Sequence, residues 1–466
     1  MTSFPRSAWH KARDVALLVC ASLIALEMAG WDLRTNFGLD SFRNPYLLPG
    51  FLVYSQKSPH ENRWSPFNGS SSPALLASLL RSSWHTTSSS ISSDILRPEN
   101  WWKEHLGPDG QGWEDISWAR GKTVLVVGDS VGRFQVRYFC EMAGEPLREL
   151  NWDHPFSPPE ILHEELVNSQ AEVTVDLQTE KKHNQRSSPS WHRLDRQPKR
   201  PTDAPLGQKA VSGDSPLVGR DDDTRHEGNG TGFHGHYCHV PGVDLMIVQV
   251  FNYGLDQSGF WTFREDYIPP YTIESRISLL ASPYITAMGR AKTAPELTYI
   301  GSALWDTTRW MREDAAQGRD ISHPVSRERL LWYRSRIREV LIHTRKVFPK
   351  TVIKWSSHHY PLRSMAGWFF DGGKQDERPR RPQQRLNRLW PLHQAALSAT
   401  TDFSDVSLAD FIALRGITVN MWGKLMMGME DHQRDDLHHR LLPGGYLWAD
   451  MMLFDLREAV NQKRWS

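Results

Sequence analysis

Unbroken apolar runs alternate with stretches of helical period through much of the chain. Residues 123–127 (TVLVV), 244–250 (DLMIVQV), 297–300 (LTYI) and 351–355 (TVIKW) lack the polar alternation of half-exposed strands. They predict strands buried on both faces, as in a parallel sheet. Helical spacing covers 131–142, 273–280, 327–347 and 383–397, and a last helix follows Gly445. This strand and helix order predicts an α/β domain: a three-layer parallel sheet with helices on both faces. Functional residues are then expected at the carboxyl ends of the strands.

Three stretches break the pattern. Residues 55–93 are rich in Ser, Pro and His, residues 177–230 carry mixed charge with no sustained period, and 374–385 form a basic loop. The first predicts a stalk and the second a disordered insertion. Near the start, Arg6, Lys11 and Arg13 precede an apolar run at 15–30 (VALLVCASLIALEMAG) broken only by Glu27. Its length falls short of the roughly 20 residues of a full membrane span. A signal-anchor with the basic side in the cytoplasm is expected, and a cleaved signal peptide or a buried core helix are the alternatives. The expected organisation is a cytoplasmic tail at 1–14, the anchor at 15–30, a lumenal stalk at 31–99 and one catalytic domain at 100–460. That topology describes a single-pass protein of the Golgi or endomembrane system, or a secreted one if the segment is cleaved. Asn68 and Asn229 head Asn-x-Ser/Thr triplets in loop-like sequence, as glycosylation in such a compartment requires.

Composition narrows the partners. Over 466 residues, 55 basic and 54 acidic side chains leave a net charge of +1, which excludes a polybasic nucleic-acid binder. Three cysteines exclude a disulfide framework; with Cys20 in the apolar run, Cys140 and Cys238 remain as a disulfide candidate or as two buried thiols. The 20 tryptophans exceed the needs of a core and are in keeping with stacking on sugar rings.

The chemistry concentrates where strands end. Gly128-Asp129-Ser130 follows the first strand, and a helix begins at once. Glycine permits the sharp turn, and Ser130 at the helix N-terminus has an exposed hydroxyl and a backbone N–H directed at a developing oxyanion. Asp and Ser are also ordinary helix caps. A serine nucleophile needs a base, and the base an orienting carboxylate. Asp436 and His439, three apart before Leu441-Leu442-Pro443-Gly444, supply both. His358-His359 is an alternative source of the base. His234-Gly-His236-Tyr-Cys238-His239 has metal-ligand types, but its spacing fits no structural zinc pattern, and no metal is expected.

Gly128-Asp-Ser-Val-Gly-Arg-Phe-Gln135, with Asp436-x-x-His439-x-x-Leu-Pro-Gly444 far downstream, resembles the PC-esterase group of the SGNH/GDSL acyl-esterases, from about residue 101 to 456. That group includes the trichome-birefringence-like and the fungal capsule polysaccharide O-acetyltransferases. The resemblance implies Ser130 as nucleophile, His439 as base and Asp436 as its partner. Arg133 and Gln135 match the group's residues after the serine, at the turn or acyl pocket. The middle blocks depart from the wider superfamily: Asn252 or Gly254 stands for the second-block donor, and Gly301-Ser-Ala-Leu-Trp305-Asp306 has no third-block Asn. The oxyanion and substrate set is therefore expected among Gly128, Asp129, Arg133, Asn252, Gly254, Trp305 and Asp306. The expected activity is transfer of an acyl group, acetyl first, to a glycan hydroxyl, with an unidentified acyl donor and no tightly bound cofactor. Hydrolysis of an acetylated carbohydrate, or glycan binding without catalysis, are the alternatives. The expected partners are the glycan and, through the N-terminal segment, a membrane.

Overall fold

A computed structural model describes residues 44–55, 61–69, 72–87, 115–151, 154–157, 234–262, 267–289, 294–321, 323–360, 386–427, 429, 432, 434 and 437–465. The apolar run at 15–30, the insertion at 177–230 and the basic loop at 374–385 lie outside these residues. No helix among the described residues is long and apolar enough to cross a membrane.

A seven-stranded sheet forms the centre, in the order β4-β5-β6-β3-β7-β8-β9. Its strands are β3 (Thr123–Gly128), β4 (Arg148–Leu150), β5 (Gly235–Val240), β6 (Leu245–Phe251), β7 (Leu297–Ile300), β8 (Val352–Ser356) and β9 (Thr418–Asn420). The run β6-β3-β7-β8-β9 is parallel, whereas β4 and β5 add an antiparallel edge. The four apolar runs thus became the parallel centre. The antiparallel edge departs from the all-parallel expectation: β5 carries the histidines 234–239 at or beside it and lacks the unbroken apolar signature.

The period-2 rule assigns the two faces. On β3, Val124 and Val126 join the core beneath α1 (Leu75–Thr87), α2 (Ser130–Ala143) and α9 (Tyr446–Trp465). Leu125 and Val127 point the other way, into the core under the helical segment α3 (273–287, with a π turn at Ile277–Ala281), α5 (Arg327–Val347), α6 (Leu386–Thr401) and α7 (Leu408–Leu414). α4 (Leu304–Ala316) follows β7, and the single-turn α8 (Trp422–Leu425) follows β9.

The stalk expected at 31–99 is corrected in part. Strands β1 (Gly50–Val53) and β2 (Arg63–Pro66) form a hairpin, and α1 packs on α9 with Leu75, Leu76, Leu79 and Leu80 fully buried. Asp450 of α9 pins the segment from both sides, accepting hydrogen bonds from Tyr46 Oη (2.6 Å) and the Leu76 backbone N–H (2.9 Å). Serine richness hid the leucine face: the apolar positions fall one turn apart and have a partner only in the last helix of the chain.

Candidate active site

β3 ends at Gly128, and Asp129 caps α2 by accepting the Val131 N–H at 2.9 Å. Ser130 therefore occupies the first helical position, half-buried, at the carboxyl edge of the central strand. The turn is fixed from the neighbouring strand: the Gly128 carbonyl accepts from the Asn252 N–H (2.9 Å) and from Gln249 Nε2 (3.1 Å), and His236 Nδ1 holds Gln249 Oε1 at 2.9 Å. Burial pushes the Asp129 carboxyl up to about 6, opposed by the Val131 N–H and by His438.

His438, not His439, meets the serine. Its Nε2 lies 2.9 Å from Ser130 Oγ, the distance for accepting the hydroxyl proton. The imidazole is half-buried and packs on Phe134, ring centroids 4.5 Å apart. His439 is fully buried on the opposite side of the loop, its ring edge-on to Trp422 (4.8 Å) and Tyr138 (5.4 Å). Successive side chains of an extended segment point to opposite sides, so only one of the pair can face Ser130.

Which one does so is decided by distant braces on the loop. Tyr138 Oη donates to the His439 carbonyl (3.0 Å), His359 Nε2 donates to the Leu437 carbonyl (2.7 Å), and Trp422 Nε1 donates to the Gly444 carbonyl (2.9 Å). His359 thus braces the loop, its Nε2 engaged by the Leu437 carbonyl. Burial, with the neighbouring histidines, depresses its pKa well below the usual imidazole range, so it acts as a neutral donor. Asp436, and Asp435 beside it, lie outside the described residues.

The remaining candidates separate by role. Asn252 is buried at the end of β6, and neither atom of its side-chain amide has a hydrogen-bond partner. Gly254 has φ +101°, and a Cβ there would stand 3.0 Å from Asp306 Oδ1, so the position requires glycine. Asp306 accepts from Ser302 Oγ (2.5 Å) and the Leu255 N–H (2.9 Å), joining the loops after β6 and β7. Its carboxyl is raised to about 6, chiefly by burial. Trp305 belongs to an aromatic core with Phe251, Tyr253 and Trp261. The Arg133 guanidinium lies 5.7 Å from the centre of the Phe134 ring.

A cavity of about 30 Å³, room for roughly one water, flanks the serine. Its lining includes Gly128, Asp129, Gln135, Gly301, Ser302 and His358. Burial, with His438 nearby, lowers His358 to about 4, so it is neutral at pH 7, and its Nε2 has no hydrogen-bond partner. Sequence reasoning missed Phe134 as a site residue and chose His439 over His438. Phe134 was legible, being four residues after Ser130 on the same helical face.

The disulfide candidate is not formed. Cys140 and Cys238 are free, buried thiols side by side, and burial followed by the Cys238 contact holds the Cys140 thiol well above its ordinary pKa. Asn68 is exposed in the turn after β2; Asn229 lies outside the described residues. Among the described residues no group of three His, Cys, Asp or Glu could hold a metal. His236 is instead bound to Gln249, and His239 Nε2 lies 3.0 Å from Asp244.

No protein-family model matches the chain, and no curated protein is similar enough to count as a relative.

Proposed function

We propose that the chain is a serine acyltransferase or esterase of the SGNH type, acting on hydroxyl-bearing glycans through an acyl-enzyme on Ser130. The observation that carries this reading is the 2.9 Å approach of His438 Nε2 to Ser130 Oγ at a strand-to-helix turn on the carboxyl edge of the sheet. Ser130 Oγ attacks the acyl carbonyl as its proton passes to His438 Nε2. The tetrahedral intermediate then expels the donor's leaving group, which takes that proton from His438, and leaves an ester on Ser130. An incoming hydroxyl next gives its proton to His438, attacks the ester and restores the serine. Transfer needs a sugar hydroxyl in that step, and hydrolysis needs water.

Two groups serve the developing oxyanion. The Ser130 backbone N–H stands at the start of α2, where no helical partner uses it. The Asn252 amide, unpartnered at the adjoining strand end, replaces the donor that the third-block Asn supplies in the wider superfamily. Asp435 stands three residues before His438, so the Asp-x-x-His spacing survives when the base moves by one position. The apolar run at 15–30 after three basic residues supports a site facing the lumen of the secretory pathway.

Treating the full chain in detergent with a fluorophosphonate and mapping the adduct by mass spectrometry tests this reading. Labelling is expected on Ser130, absent in Ser130→Ala and slowed at least 100-fold in His438→Ala. A folded chain that takes up no label on Ser130 overturns the reading.

A further inference from the structure

We infer that Trp390, Tyr360 and His393 form a subsite for one pyranose ring of the acceptor; the role assigned to that ring rests on the acyl-transfer reading. Trp390 lies on α6 and is 37% exposed, while Leu386 stands exposed one helical turn before it. An indole held at the surface presents a flat apolar face, and the C–H face of a sugar ring matches it.

Two buried polar side chains pack against the indole. The Trp390 ring centroid is 5.4 Å from that of His393 and 6.4 Å from that of Tyr360. His393 is 6% exposed and Tyr360 is 5% exposed. Neither nitrogen of His393 has a hydrogen-bond partner, and neither does the Tyr360 hydroxyl. Buried polar atoms are nearly always paired, and these three belong to the two rings that pack on the exposed indole. A neutral imidazole offers one donor and one acceptor, and a phenol offers both. Sugar hydroxyls, each donor and acceptor at once, complement all three. Burial, with Lys424 nearby, keeps His393 neutral at pH 7, with its pKa near 4, so the imidazole itself carries no charge.

The position fits an acceptor. Tyr360 follows β8 in the same segment as His358, which lines the cavity flanking Ser130. In the sheet, β8 is separated from the serine's strand β3 by β7 alone. Two strand spacings of about 4.8 Å separate the carboxyl ends of β8 and β3 by about 10 Å.

The test measures binding by calorimetry on the detergent-solubilised full chain carrying Ser130→Ala, which removes the chemistry. Xylohexaose, mannohexaose and chitohexaose are the probes. At least one is expected to bind, with its Kd raised tenfold or more by Trp390→Ala and about fivefold by Tyr360→Phe. Trp390→Phe, which keeps a ring and protects the fold, is expected to retain binding within about threefold. No binding of any of the three probes overturns the inference, as does unchanged affinity in Trp390→Ala. Binding without fluorophosphonate labelling of the unsubstituted chain instead sinks the acyl-transfer reading and leaves the sugar site standing.

Discussion

Replacing the two adjacent histidines separates chemistry from packing. His438→Ala removes the group 2.9 Å from Ser130 Oγ, and loss of such a base costs about four to six powers of ten in turnover. At 1.36 kcal/mol for each tenfold, that is about 5 to 8 kcal/mol of transition-state stabilisation. The half-buried His438 ring leaves little void, so stability should change by less than about 1 kcal/mol. His439→Ala behaves in the opposite way. Its fully buried ring fills the space between Trp422, Tyr138 and His359. Truncating a buried aromatic to alanine costs about 3 to 5 kcal/mol, and the smaller imidazole about 2 to 4. At roughly 2–4 °C per kcal/mol, the melting temperature drops by about 5 to 15 °C. The assay is p-nitrophenyl acetate hydrolysis with fluorophosphonate labelling, run 10 °C below the lower of the two melting temperatures. Near-normal turnover in His438→Ala, with loss in a still-folded His439→Ala, refutes the assignment.

Four further outcomes are expected. Asp435→Asn lowers kcat at least tenfold more than Asp436→Asn, and the reverse order in steady-state kinetics would return the orienting role to Asp436. Asn252→Ala lowers kcat by about 10²–10³-fold, as for loss of an oxyanion donor, while thermal melting falls by no more than a few degrees because its amide has no partner to lose; an unchanged kcat removes it from the site. Burial raises the Asp450 carboxyl from 3.8 to about 6, so between those values the folded chain holds more protons than the unfolded one and stability falls as pH rises. Denaturant titrations at pH 3.5 and pH 7 should therefore show Asp450→Asn gaining about 3 kcal/mol on the unsubstituted chain at the higher pH, and no gain would contradict the burial of that carboxylate. Leu79→Ala costs about 3 kcal/mol in denaturant unfolding if α1 belongs to the domain, and nothing measurable if the segment is a stalk.

Local pattern determined the centre of the molecule. The apolar runs at 123–127, 244–250 and 351–355 and the matching strand at 297–300 had no other stable placement than a sheet covered on both faces. The glycine and the cap before Ser130 set the turn that exposes it, since both act within three residues. The long period at 327–347 is likewise a local property, and α5 spans those residues. Long-range contacts decided the rest. The choice between His438 and His439 depends on Tyr138, His359 and Trp422, which hold the loop from elsewhere in the chain. No spacing rule within the loop contains their positions. The same holds for α1, whose leucines acquire a partner only when α9 closes over the sheet, and for β5, whose histidines enter the sheet because β6 and β4 supply its backbone bonds. Neighbours in sequence fix conformation; which way a side chain faces is fixed by what the fold brings against it.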